Sequence, residues 1–212
     1  ILTHIRHSEK VFIMKRLLLI LILTFSFHTI AKADDISDFE LDGMSIGDSL
    51  LIHLERFNIN KDSLKNARHY YSGSKKFYGT RFMIKTKDAI YDNIGFLLKE
   101  NDNKYIIYTL TGRKPFPNNL ASCNKYKNEI VNEFSDLLEN SKRSDYEYRY
   151  PRDGEKSISY ITQFKFKDGS SVRVFCDNWS PETEKQMKWI DSLSVSISSA
   201  EGLNWISNEA YK

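Results

Sequence analysis

Apolar residues recur every three or four positions between Leu120 and Leu138: Leu120, Cys123, Tyr126, Ile130, Phe134, Leu137 and Leu138, with polar residues on the opposite face. That spacing draws one apolar stripe along a helix, and Asn119 is a suitable N-cap, so the main helix is predicted over 119–140. Two shorter helices are predicted upstream. One spans 48–57, capped by Asp48, with Leu50, Leu51, Leu54 and Phe57 on one face; the other spans 60–68, opened by Asn60 or Asp62. Elsewhere the period falls to two. Tyr78, Thr80, Phe82 and Ile84 alternate with Phe77, Gly79, Arg81 and Met83, Ile94, Phe96 and Leu98 share a face, and Tyr105 to Thr111 is β-branched and aromatic. After a stretch over 141–156 that reads as turns, Ile158, Tyr160, Thr162, Phe164 and Phe166 alternate with polar neighbours, and Asp168-Gly169 signals a hairpin into Val172, Val174 and Cys176. Ser180-Pro181-Glu182 opens a short helical turn. Leu193, Val195 and Ile197, interleaved with Ser192, Ser194, Ser196 and Ser198, predict a half-buried strand, and Ser198 with Glu201 makes a capping box for a last helical turn through Trp205 and Ile206.

This order predicts an α+β fold: an antiparallel sheet of about six strands in two groups of three, with the helices packed on one face. Residues 34–212 are expected to form a single domain from two units, 43–114 and 119–212.

Composition excludes several classes. Of 212 residues 41% are apolar and 13% aromatic, enough for a core, and two cysteines do not make a disulfide-dense mini-protein. The formal charge of +3 comes from the first 33 residues, which hold five basic groups and one acid; the remainder carries 26 basic against 27 acidic groups. Nucleic acid is therefore not an expected partner.

Those first residues have the grammar of an address. Residues 1–13 read as upstream sequence or a misassigned start; from Met14 come Lys15-Arg16, an apolar run over 17–30 and Ala31-Lys32-Ala33 before Asp34-Asp35. A spanning helix needs roughly 20 apolar residues, and this run already includes Thr24, Ser26, His28 and Thr29. A secretory signal over 14–33, cleaved between Ala33 and Asp34, and a periplasmic location are the expectation; an uncleaved N-terminal anchor is the alternative.

The stretch Asp42-Gly43-Met44-Ser45-Ile46-Gly47-Asp48-Ser49-Leu50-Leu51, with Lys75-Lys76-Phe77-Tyr78 and the ending Trp205-Ile206-Ser207-Asn208-Glu209-Ala210-Tyr211, resembles a set of uncharacterised exported proteins of marine alphaproteobacteria. The resemblance runs over nearly the whole mature chain and implies export, but no activity or ligand. Residues 43–108 are similar, at the level of fold, to the small outer-membrane assembly lipoproteins and β-lactamase-inhibitor-like proteins, which are binding proteins. The chain lacks the lipobox cysteine of the former, and Gly47-Asp48 departs from their usual helix start.

Chemistry is sparse. Beyond the leader the histidines are His53 and His69, neither with a partner four residues on, so neither a metal nor another cofactor is expected. Ser49, His53 and Asp48 assemble a hydrolase set on paper, with the loop at Tyr70 nearby. A basic-aromatic stretch stands out more. Between Ser63 and Lys87 lie Lys65, Arg68, Lys75, Lys76, Arg81, Lys85 and Lys87 without an acid. Arg68, Tyr70, Tyr71, Lys75, Lys76, Tyr78 and Arg81 are the candidate binding face, for which an envelope protein, a glycan or an anionic lipid surface is the fitting partner. The competing reading is a solvated face balanced by the acidic segment before it. Trp179 and Trp189 flank the 180–188 connection as an aromatic contact site or as satellite core residues, and three functions follow: a binding module for an envelope component, a small envelope hydrolase, or a capture protein for a small solute or glycan.

The two cysteines are expected to bond. An exported chain meets an oxidising compartment, Cys123 shares the helix stripe, and Cys176 shares a strand face with Val172 and Val174.

Overall fold

Period-two alternation produces strands where it was expected. The computed structural model, which describes residues 36–84 and 89–212, places β3 at Phe77–Met83, β4 at Asn93–Lys99, β5 at Ile107–Pro115, β7 at Ile158–Lys165, β8 at Ser171–Asn178 and β9 at Ser192–Ser198. The leader, its cleavage point at Ala33 and Asp34, and Lys85 and Lys87 lie outside the described residues. Among the described residues no helix is long and apolar enough to cross a membrane.

The α+β class with an antiparallel sheet holds, but strand number and grouping differ from expectation. A seventh strand, β6, occupies Lys142–Arg149 in the stretch read as turns, and all seven join one sheet in the order β3-β4-β5-β9-β8-β7-β6. β6 has no apolar alternation because it is an edge strand with every residue exposed, held by its pairing to β7 from Lys142↔Lys165 to Arg149↔Ile158. The two expected groups merge because β9 inserts between β5 and β8 (Thr111↔Ser196 on one side, Val174↔Val195 on the other). β9 is buried on both faces instead of half-buried, its alternating serines being 0–2% exposed. A separate two-stranded sheet, β1 (Glu40–Leu41) and β2 (Met44–Ser45), closes through Asp42-Gly43, whose φ angles of 54° and 70° suit the tight hairpin turn that this dipeptide favours.

The helical segments are shorter than predicted. The 48–57 segment is two 3₁₀ turns, Leu50–His53 and Glu55–Phe57, capped by Ser49 rather than Asp48 and stopped by Asn58 at φ 52°. The next helix, α1, covers Lys61–Asn66 behind Asn60, whose Oδ1 accepts from the Ser63 N–H at 2.8 Å. The main helix, α2, covers Leu120–Leu137, capped by Asn119 as expected. α3 spans Pro181–Met187 and α4 spans Ala200–Asn208. The α4 cap is Ser199, one residue after the predicted box, because Ser198 is still in β9; Glu201 turns instead to Lys76 and Lys99.

Helices lie on both faces, not one. On the first face α2 and the N-terminal turns cover Tyr78, Ile94, Phe96, Leu98, Leu110, Val172, Val174, Leu193, Val195 and Ile197, all buried. There Cys123 of α2 is disulfide-bonded to Cys176 of β8 with Cα atoms 6.0 Å apart. On the second face α4 covers only one corner, where Trp205 and Ala210 bury Phe77 and Leu97.

Candidate functional site

The second face, beyond the α4 corner, is polar because the alternate positions of its central strands are polar. Strand register runs one row across the sheet: Arg81, Gly95, Thr111, Ser196, Arg173 and Gln163. The next row holds Arg113, Ser194, Phe175, Ile161 and Tyr146. Glycine and small hydroxyls make the floor, and the hydroxyls bond one another. Thr111 Oγ1 and Ser196 Oγ are 2.9 Å apart, Thr109 Oγ1 donates to Ser198 Oγ at 3.2 Å, and Arg113 Nε donates to Ser194 Oγ at 3.2 Å. Tyr211 packs against Tyr71 beside β3, with ring centroids 5.4 Å apart, yet its hydroxyl also feels Tyr148 of β6 and Arg152 beyond it.

The charge on this face is one-sided. Register assigns it Arg81, Lys99, Arg113, Lys142, Lys165 and Arg173, against Asp177 among the described strand residues. Asp177 is 2% exposed; it accepts from Ser159 Oγ, lies 3.5 Å from the Tyr150 hydroxyl and 4.0 Å from Arg113 Nη2. Burial pushes its carboxyl above the ordinary range, against the pull of Arg113. Lys99 is held by Glu201 at 3.2 Å. Arg81 and Arg173 make no ion pair among the described residues, and the buried Nε of Arg173 has no hydrogen-bond partner. Arg113 lies close enough for its like charge to act on Arg81.

The basic-aromatic stretch is divided by β3, which sends odd and even residues to opposite faces. Tyr78 points into the first face, 1% exposed, with the Arg68 guanidinium 4.4 Å above its ring. Arg68 pairs with Glu100 at 2.7 Å, and Tyr70 donates to the same carboxylate at 2.9 Å. Lys76 pairs with Glu201 at 2.9 Å, and Tyr71 packs on Trp205 at 5.2 Å. Lys75 is exposed. Of the predicted face, Arg81 alone joins the polar row. Arg113 and Arg173 were passed over by sequence reasoning; the available signal was that the polar positions opposite each apolar strand face carried hydroxyls and arginines.

The hydrolase set is incomplete in geometry. His53 Nε2 is 3.2 Å from Asp48 Oδ2, but Ser49 donates its hydroxyl to the Lys104 carbonyl at 2.6 Å and caps Leu51. Among the described residues no group of three metal-ligating side chains forms.

At one end of the face a line of rings, Tyr148–Tyr150–Trp179–Trp189, runs with successive centroids 4.8, 4.7 and 4.6 Å apart. Beside it an open cleft of about 500 Å³ is lined by Lys156, Trp179, Glu184 and Asp191. The loop behind is pinned by Asp153, which accepts from the hydroxyls of Ser157, Ser180 and Thr183, the latter two at 2.9 Å. The Ser157 hydroxyl first, then those of Ser180 and Thr183, hold the Asp153 carboxyl well below the usual carboxylate range. Its stabilising effect is present above the unfolded value of about 3.9 and is lost as pH falls below it. Asp177 has the opposite sign: its raised value favours the fold when protonated, and that contribution is lost as pH rises through it. Thermal melts should therefore show Asp153→Asn destabilised by several degrees at pH 7, with the gap closing below about pH 4. Asp177→Asn should melt higher than the parent at pH 7 only. A pH-independent gap for Asp153→Asn would contradict the assignment.

No family model, curated protein or solved structure matches the chain. The site therefore stands on its own geometry.

Proposed function

We propose that the chain is an exported binding module that contacts a component of the cell envelope through the arginine-bearing face of its sheet. The observation that carries this reading is the contrast between the faces. One is filled by the apolar core, while the other carries an exposed Arg81 and a half-buried Arg173, neither in an ion pair among the described residues. Arginines left without an ion pair among the described residues favour a partner, because arginine is the side chain suited to bidentate recognition of anionic groups. The disulfide supports export, since such bonds persist in oxidising compartments. The sequence resemblance to exported alphaproteobacterial proteins belongs to the same reading. A small hydrolase is less well supported, because the Ser49 hydroxyl is held by a backbone carbonyl rather than by His53.

A photo-crosslinking amino acid in place of Tyr146, 41% exposed on the polar face, tests this in cells. The expected result is a discrete envelope adduct from that position and none from Lys125, which is exposed on α2. No adduct from Tyr146, or equal adducts from both positions, would overturn it.

A further inference from the structure

We infer that the free edge of β6 accepts an extended polypeptide segment as an added strand, one carrying acidic, basic, basic and acidic side chains at alternate positions. The inference rests on the binding-module reading and names the partner as protein.

Three observations converge on it. The first is the difference between the two ends of the sheet. At the β3 end the outer edge is closed in part, because His69 and Gly79 exchange backbone bonds of 2.8 and 2.9 Å. At the β6 end no further strand follows among the described residues. Yet β6 runs eight residues in unbroken register with β7, without proline, and every residue is exposed. The Tyr150 N–H donates to the Ser157 carbonyl at 3.1 Å, which continues that register and fixes which backbone groups turn inward. Alternate residues turn the other way, so Arg143, Asp145, Glu147 and Arg149 direct their N–H and C=O groups outward. Such a row is a template for another strand.

The second is charge. These outward residues read basic, acidic, acidic, basic, and that pattern opposes a second copy. Antiparallel pairing of two β6 edges centred on Tyr146 sets Arg143 against Arg149 and Asp145 against Glu147, like charge against like. A shift of one pair in either direction sets Asp145 or Glu147 against its own counterpart. A segment of inverted pattern instead meets an opposite charge at every outward position, and it does so in either chain direction because the pattern reads the same from both ends. The pairs Arg143–Asp145, at 3.1 Å, and Arg149–Glu147, at 3.0 Å, are exposed and therefore cost little to share with a partner.

The third is the aromatic flank. Tyr146 and Tyr148 project on the other side of the strand, 41% and 47% exposed, and Tyr148 leads into the line of rings through Tyr150. Aliphatic side chains of an added strand pack on such rings. A polysaccharide or a lipid headgroup would meet the charges but has no backbone to complete the ladder.

Fluorescence anisotropy with the disulfide-intact protein tests the inference, using the labelled peptide Glu-Val-Lys-Val-Lys-Val-Glu. This peptide is expected to bind, and the charge-reversed Lys-Val-Glu-Val-Glu-Val-Lys to bind about tenfold more weakly or less. Glu147→Pro removes an outward N–H and leaves the bonds to β7 in place, so it should keep the fold and abolish binding. Amide exchange gives a second measure on the unaltered chain: the N–H groups of Arg143, Asp145, Glu147 and Arg149 should gain protection when the peptide is bound. No binding of the first peptide, equal binding of the two, or tighter binding of poly-glutamate would each overturn the inference. So would outward amides that stay unprotected at saturation, undiminished binding by a folded Glu147→Pro, or self-association through β6 in place of peptide binding. If the peptide fails while the Tyr146 adduct persists, the binding-module reading stands with another class of partner; if the adduct is also lost, both readings fall.

Discussion

Replacing Trp205 with alanine is expected to destabilise the protein by about 3–5 kcal/mol, the range for truncating a buried aromatic residue. Trp205 is 0% exposed and is the largest side chain of the cluster that seats α4 on the sheet, with its ring centroid 5.2 Å from both Phe77 and Tyr71. Its loss leaves a cavity bounded by the buried Phe77, Leu97 and Ala210. The melting temperature should fall by roughly 10 °C or more. Trp205→Phe separates packing from polarity. The indole Nε1 is buried without an acceptor, so the phenylalanine variant loses no hydrogen bond and should retain most of the stability. Denaturant titration of both variants checks this. An alanine variant within about 1 kcal/mol of the parent would mean that α4 is not anchored through this residue.

The second large effect belongs to the disulfide. Cys123 and Cys176 are 53 residues apart, and the chain-entropy model assigns about 4 kcal/mol to closing a loop of that length, with real bridges often giving less. Cys123→Ser adds a buried hydroxyl between α2 and β8, where Cys123 is 1% and Cys176 0% exposed. The variant should melt on the order of 10 °C lower. A Cys123→Ala/Cys176→Val variant, which keeps the site apolar, should recover part of that loss. Peptide mapping of the unreduced protein should yield one cross-linked pair. Equal melting temperatures with and without reductant would show that packing alone holds α2 to the sheet.

Much of this architecture was legible in local pattern. The helix stripe from Leu120 and the strand face of Val172, Val174 and Cys176 were apolar at the right periods, and their burial against one another brings the two cysteines together. β6 was not legible, because an exposed edge strand satisfies its backbone through one neighbour and needs no apolar face; Lys142, Arg143, Asp145 and Glu147 gave no periodic signal. The polar row was hidden for a different reason. Arg81 and Arg173 lie far apart in sequence and share a row only because β9 bridges two meanders, and no local window contains that pairing. The basic stretch misled in part because composition ignores parity: Tyr78 and Arg81, three residues apart on β3, face opposite ways, and Glu100 and Glu201 neutralise its neighbours from distant elements.

The central place of β9 bears on how the molecule comes into being. Among the described strands β9 is the last to leave the ribosome, yet it supplies the seam on which the two halves of the sheet depend. Until residues 192–198 have emerged, β3–β5 and β6–β8 can form only separate meanders, each with an open inner edge at β5 or β8. Such edges are templates for pairing with other chains, so the nascent protein passes through a stage at which self-association competes with completion. The alternating serines of β9 suit that late arrival. They keep the closing strand from being a continuous apolar run while it waits unpaired, and they pass from solvent to buried, hydrogen-bonded positions in the step that completes the sheet.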